Sequence, residues 1–256
     1  MTSDSAIDNG AAIQIENLTK RYGDKTAVEN LDLVIPPGEI FAFLGPNGAG
    51  KTTTIKVMAG LLKPSEGRVL IGGHDIQREH LHAKAVLGYI PDHPYLYEKL
   101  TGRDFVHFVG DLHAIPGSER DARMLEWFTL FDLVSAADQL IENYSHGMRQ
   151  KLVFTAAMLH RPRVIVVDEP MVGLDPRSSR IFKRLLRREA DGGAAVFLST
   201  HQLAVAEEVA TRIGIIAKGN LIFLGTLDEL RAKTHGAGTL EDLFLELTGE
   251  PVQEEW

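Results

Sequence analysis

A short apolar run, Ile40-Phe41-Ala42-Phe43-Leu44, passes without a polar break into Gly45-Pro46-Asn47-Gly48-Ala49-Gly50-Lys51-Thr52-Thr53. Few features constrain a fold more. Consecutive apolar residues without alternation read as a strand covered on both faces, as in a parallel sheet packed by helices. The glycines allow a backbone path that a Cβ would block, with N–H groups turned toward one point. Lys51 to Leu62 reads as a helix closed by Lys63-Pro64, and its positive end opens onto that same point. Strand, glycine loop and helix start together make an anion cradle. The spacing G-x-x-x-x-G-K-[ST], filled by Gly45, Gly50, Lys51 and Thr52, narrows the anion to nucleotide phosphates. Lys51 supplies a charge to the outer phosphates, and the Thr52 hydroxyl is a ligand for Mg²⁺.

Cleaving a phosphate needs a second element: a carboxylate for the metal and a group to orient a water. The stretch Val164-Ile165-Val166-Val167-Asp168-Glu169-Pro170 offers both. Asp168 falls at the end of an apolar strand, where α/β sheets present ligands, and reads as a metal partner for Thr52. Glu169 points differently and reads as the base for the water. Taken alone, the stretch is also compatible with an ordinary polar strand end.

The rest of the chain supplies a frame. Ala12 to Tyr22 and Ala27 to Ile35 read as strands, the second stopped by Pro36-Pro37-Gly38. Gly67 to Ile76 reads as a strand with a glycine turn. From about residue 94 to 160 the pattern turns helical. Thr101 and Asp104 resemble a capping box. Phe105, Phe108, Val109 and Leu112 share a helical spacing, as do Met124, Leu125, Phe128 and Phe131. Gly147 to His160 reads as a further helix, ended by Arg161-Pro162. Strand and helix then alternate, with a hairpin expected at Gly219-Asn220 and a short amphipathic helix at Thr239 to Gly249. The boundaries expected are a polar leader at 1–12, a nucleotide-binding domain at 13–247 and a tail at 248–256. With 256 residues, 44% of them apolar, the chain can bury a sizeable core. The absence of cysteine excludes disulfides and thiolate chemistry. A net charge of -8 argues against a nucleic-acid surface. No apolar run is long enough to span a membrane, and the polar start lacks a signal peptide, so the cytosol is expected.

Several further stretches fall in a telling order: Tyr22 ahead of the core, Tyr144-Ser145-His146-Gly147-Met148-Arg149-Gln150, Gly173-Leu174-Asp175-Pro176, and His201 after the strand Ala195–Thr200. Together with the two phosphate elements, the chain resembles the ATP-binding subunit of ABC transporters over about residues 13–247. The resemblance implies an α/β fold: a RecA-like P-loop NTPase core, an N-terminal antiparallel β part and an inserted α-helical subdomain. It implies ATP and Mg²⁺ as cofactors, with Tyr22 stacked on adenine and Gly45, Pro46, Asn47, Gly48, Ala49, Gly50, Lys51, Thr52 and Thr53 around the triphosphate. Asp168 would hold the metal, Glu169 would be the catalytic carboxylate, and His201 would reach the γ-phosphate. Asp175 would belong to a loop crossing a dimer interface.

Two departures from the family pattern stand out. The signature Leu-Ser-Gly-Gly-Gln is matched at Ser145 and Gly147 but not at Tyr144, His146 and Met148. The usual glutamine after Gly88-Tyr89-Ile90-Pro91 is Asp92, shorter and charged, but still able to take a metal-bound water. Both resemble a subgroup whose ATPases pair with separate, export-type membrane subunits. The partners implied are an integral-membrane permease and a second ATP-binding protomer, identical or different, and the location implied is the cytoplasmic face of the membrane. The helical insert, with Tyr95, Tyr97 and Phe105 near its start, would receive a short permease helix. Two rival readings differ. A GTPase switch needs N-K-x-D and D-x-x-G motifs, which the chain lacks. A soluble ABC-type ATPase with a non-transport role would carry a coiled coil, zinc cysteines or a second ATPase unit.

Overall fold

The computed structural model describes residues 10–169, 174–233 and 240–248. Most of the expected leader, the tail beyond Thr248, and Gly173 lie outside the described residues. The strands are β1 (Ile13–Tyr22), β2 (Lys25–Ile35), β3 (Ile40–Leu44), β4 (Glu66–Ile71), β5 (His74–Asp75), β6 (Leu87–Ile90), β7 (Val164–Asp168), β8 (Ala195–Thr200), β9 (Arg212–Ala217) and β10 (Asn220–Gly225). The helices are α1 (Lys51–Met58), α2 (His80–Ala85), α3 (Gly102–Leu112), α4 (Gly117–Leu130), α5 (His146–Met158), α6 (Pro176–Asp191), α7 (Leu203–Val209), α8 (Leu227–Ala232) and α9 (Leu240–Thr248).

The strands form two sheets. One is antiparallel, in the order β2-β1-β4-β5; the other runs β10-β9-β3-β8-β7-β6. In the second sheet β3, β6, β7, β8 and β9 pair in parallel and β10 joins antiparallel to β9. Every residue of β3, β7 and β8 is buried, which explains why these strands carry no polar alternation. Their side-chain period of two still sorts the core. Phe41, Phe43, Val164, Val166 and Phe197 face α1 and the antiparallel sheet. Ile165, Val167, Val196 and Leu198 face the other way, onto Phe105, Phe128, Phe154 and Phe182 of the helices. The parallel sheet is thus the middle layer, with α1 trapped between it and the smaller sheet. The fold class is that of a P-loop NTPase with an antiparallel β part and a helical insert.

Local signals set the ends of elements. Thr101 and Asp104 form a complete capping box at the start of α3, as the sequence predicts. Three differences from the sequence reading have physical reasons. Helix α1 ends at Met58 rather than near Leu62, because Gly60 turns left-handed at φ +69°. The N–H groups of Leu61 and Leu62 then fold back onto Lys56 O. The hairpin turn is Lys218-Gly219, both at positive φ, so Asn220 already belongs to β10. On α4, Leu125 is 56% exposed and Trp127 takes the buried place beside Phe131 and Phe154. Strand β6 and helices α2 and α8 have no strong periodic signal. Gly88 in β6 is required by contact, since a Cβ there would lie 2.8 Å from Ala157 O.

Candidate nucleotide site

The loop between β3 and α1 is held in shape by distant chain. A Cβ on Gly45 would fall 2.3 Å from Ile216 O, so close packing alone demands glycine there. Gly50 has φ +117°, and its Cβ would fall 2.5 Å from Ala27 O. Ala49 donates its N–H to Pro46 O at 3.2 Å and accepts from Gly219 N–H at 2.9 Å, so the β9–β10 turn braces the loop. Inside the loop Lys51 is nearly covered. Its Nζ donates to Gly45 O at 2.6 Å and Pro46 O at 3.1 Å.

The end of β7 meets the start of α1. Asp168 is 2% exposed and accepts from Ser199 Oγ at 2.6 Å. The Thr52 hydroxyl faces the same carboxyl and favours its charged form. Burial pushes Asp168 above the usual carboxylate range; the hydroxyls of Ser199 and Thr52 act against that push, and the charges of Asp92 and Glu169 add to it. These oxygen donors, a buried carboxylate with a hydroxyl against it, suit a hard divalent cation.

Glu169 follows with φ +48°, a left-handed conformation that costs a non-glycine residue roughly 1–3 kcal/mol. Its N–H is shared between Ser199 O at 3.2 Å and Ser199 Oγ at 3.3 Å. The turn swings its carboxylate away from that of Asp168. Oε2 lies 2.9 Å from His201 Nδ1 and Oε1 lies 3.8 Å from Lys51 Nζ. One carboxylate is thus clamped between a lysine from the glycine loop and a histidine from the end of β8.

Other predicted residues have their contacts elsewhere. Asp92 lies just past β6, 2.8 Å from His93 Nδ1. Tyr22 ends β1, half exposed, with Lys20 Nζ 5.1 Å from its ring centre. Ser145 caps α5, its Oγ accepting from Met148 N–H at 3.3 Å; Gly147 is the second residue of that helix. Asp175 caps α6 through Ser178 N–H at 2.9 Å and lies 3.7 Å from Lys151 of α5. Those bonds from Ser178, with Lys151 nearby, pull its carboxyl down to about 2.

Three residues were missed by sequence reasoning. Ser199 bridges Asp168 and the Glu169 backbone; a serine inside an apolar strand was the available signal. Gln150, buried in α5, donates from Nε2 to Asp92 O at 2.9 Å and ties the helix that begins at Ser145 to the Asp92 loop. Tyr89 in β6 has its phenol pushed up to about 12, by burial first and then by the charge of Asp168. The departure at Tyr144 also has a reason. Its ring is buried, its hydroxyl donates to Ala136 O at 2.7 Å, and Gly102 leaves it room.

Below the Asp92 loop, β6, α3 and α5 border a cavity of about 730 Å³. Leu87, Tyr89, Tyr95, Phe105, Val109 and Ala156 are among its walls. Tyr95 is 82% exposed at its rim.

A parallel sheet whose strand ends carry a glycine cradle, a buried Asp168 and the Glu169–His201 pair defines a P-loop ATPase. The comparisons with known proteins narrow this class. The ABC transporter family matches residues 28–172. Daunorubicin resistance ATP-binding protein DrrA3 of Streptomyces coeruleorubidus is 39% identical over 225 residues, spanning 88% of this chain and 71% of that protein. Linearmycin resistance ATP-binding protein LnrL of Bacillus subtilis (strain 168) is 34% identical over 242 residues, spanning 94% and 76%. A solved ATP-binding subunit of an ABC transporter superposes with a TM-score of 0.88 at 31% identity, over 93% of this chain and 99% of that one. A dimeric ATP-binding cassette bound to ADP and Pi, in a post-hydrolysis state, gives 0.76 at 26% identity, over 84% and 98%. The chain belongs to the ABC transporter family, as an ATP-binding, ATP-hydrolysing subunit. No described helix is long and apolar enough to cross a membrane.

Proposed function

We propose that this subunit drives export through a separate integral-membrane permease, by closing on a second ATP-binding protomer around two nucleotides and reopening after hydrolysis. The observation that carries the reading is the clamped carboxylate: Glu169 between Lys51 and His201, directly after the buried Asp168–Thr52 contact. The names of the two resistance ATP-binding proteins above support export, with toxic small molecules as the cargo class.

The residue roles follow from the chemistry of each group. The N–H groups of Gly45 to Thr53 and the end of α1 hold the triphosphate. Lys51 exchanges its carbonyl partners for phosphate oxygens, and Tyr22 stacks on the adenine. Thr52, Asp168 and Asp92 would hold Mg²⁺, which when bound would offset charge on the phosphates. Glu169 orients the attacking water and accepts its proton, and His201 fixes that carboxylate and reaches the γ-phosphate. Ser145, Gly147 and Asp175 act on the neighbouring protomer's nucleotide. A short permease helix docks in the cavity between β6, α3 and α5, beside Tyr95, Tyr97 and Phe105. Gln150 links that dock to the helix opened by Ser145. In this reading 13–247 is the nucleotide-binding domain, 94–160 is its helical part, and the protein sits at the cytoplasmic face of the membrane through the permease.

The test is sedimentation of Glu169→Gln with saturating MgATP. A dimer that Ser145→Arg abolishes, with ATP still bound, is expected. Monomers throughout, even with the permease present in detergent, would overturn the reading.

A further inference from the structure

Away from the nucleotide, the β4–β5 hairpin and the start of α2 bring three metal-binding side chains to one point. His74, Glu79 and His82 each offer a ligand atom within 4.8 Å of the other two. His74 Nδ1 already lies 3.3 Å from Glu79 Oε1. That is the edge of a tetrahedron whose centre is about 2.0–2.2 Å from each ligand, as around zinc. The rings of His74 and His82 are stacked 5.2 Å apart, with 28° between their planes, so one ring must turn for both nitrogens to face a single ion.

The backbone beneath is closely hydrogen-bonded. Asp75 accepts from Gln77 N–H at 2.8 Å and Arg78 N–H at 3.2 Å, and Glu79 N–H returns to Asp75 O at 2.8 Å. Asp75 N–H holds the second oxygen of Glu79 at 3.3 Å, the kind of outer hydrogen bond that orients a ligating carboxylate. Two imidazoles and a carboxylate select a transition ion such as Zn²⁺ over Mg²⁺ or Ca²⁺, which want oxygen alone.

We propose that His74, Glu79 and His82 form a surface site for one divalent transition ion, completed by water. The ion would pin β5 to α2. Val86, which ends α2, leads straight into β6 and the Asp92 loop, and Gly60 at the end of α1 packs on Ile76 and Lys84 of the same region. The site therefore clasps the outer sheet to elements that reach the nucleotide.

Chelator-treated, nucleotide-free full chain is titrated with ZnCl₂ by calorimetry, and with CoCl₂ by visible absorption. One equivalent should bind, with cobalt bands of a low-coordinate nitrogen–oxygen site. His74→Ala and His82→Ala should each weaken binding by more than the roughly 10–100-fold lost with an outer partner. His80→Ala, on the same helix but outside the cluster, should leave it unchanged. All three side chains are partly or fully exposed, so the variants keep the fold; retained ATP binding checks this. Wild-type affinity in His82→Ala overturns the proposal. So does loss of binding only in His201→Ala, which would put the ion at the nucleotide site, or no binding of Zn²⁺ below about 1 mM, the weak end of protein metal sites.

Discussion

At the scale of single residues, the site works because environments differ over a few ångströms. Asp168 is buried and accepts from the Ser199 hydroxyl, whereas Glu169, one residue on, faces Lys51 and His201. Glu169→Gln should lower kcat for ATP by about 10²–10⁴, the usual contribution of a general base, with little change in KM; steady-state hydrolysis assays check this. A left-handed Glu169 is invisible in sequence, because the groups that hold it, Ser199, His201 and Lys51, lie far along the chain. His160 gives a pH prediction. Burial, then the His113 ring stacked at 3.8 Å and the charge of Arg123, bring its pKa down to about 4 against an ordinary 6.5, while the bond to Leu87 O at 3.1 Å opposes them. Between those values the unfolded chain binds the proton and the folded chain does not, so stability falls as pH falls. The loss should reach roughly 2 kcal/mol by pH 4.5, at about 1.4 kcal/mol per unit. Urea midpoints should drop less from pH 7.5 to 4.5 in His160→Gln than in the wild type. An equal drop would put the acid sensitivity elsewhere.

At the scale of elements, α5 ties several regions together. Ser145 caps its start, Tyr144 anchors the residue before the cap, and Gln150 reaches the Asp92 loop. Arg149 bonds Tyr144 O at 3.2 Å and Glu98 at 2.6 Å, bracing the same turn. Tyr144→Phe should cost about 1–3 kcal/mol in chemical denaturation, since Ala136 O would lose its buried donor. Gln150→Ala should leave ATP affinity near wild type while uncoupling hydrolysis from the permease. Stimulation by reconstituted permease, lost while basal turnover persists, is the measurement; full stimulation in the variant would remove Gln150 from the path. The sequence marked α3 through its capping box and periodicity, and α5 through its stop at Arg161-Pro162. It left out β6 because four residues that include a glycine give no strand signal, and Gly88 makes sense only once α5 lies against it.

At the scale of the molecule, two faces of one sheet do different jobs. One buries α1 beneath the antiparallel strands and so fixes the cradle; the other carries the helices that frame the cavity beside β6. Asp92 sits past β6, the sheet's edge strand, where these two halves meet. Asp92→Gln should keep hydrolysis within about tenfold, roughly 1.4 kcal/mol of barrier, because either side chain can hold a water. A larger fall in kcat would give the carboxylate a duty of its own.

Order along the chain was enough to determine the chemistry. Gly45, Gly50, Lys51, Thr52, Asp168 and Glu169 are types and spacings that phosphate cleavage requires, and apolar runs of the right length fix a parallel sheet around them. What only the tertiary structure decided is convergence. Ile216 and Ala27 make glycine necessary at Gly45 and Gly50, Ser199 holds the backbone N–H of the left-handed Glu169, and Gln150 meets Asp92. Each of those contacts joins segments about 20 to 170 residues apart. Local propensity carries no information about such partners, since their positions follow from how the layers pack.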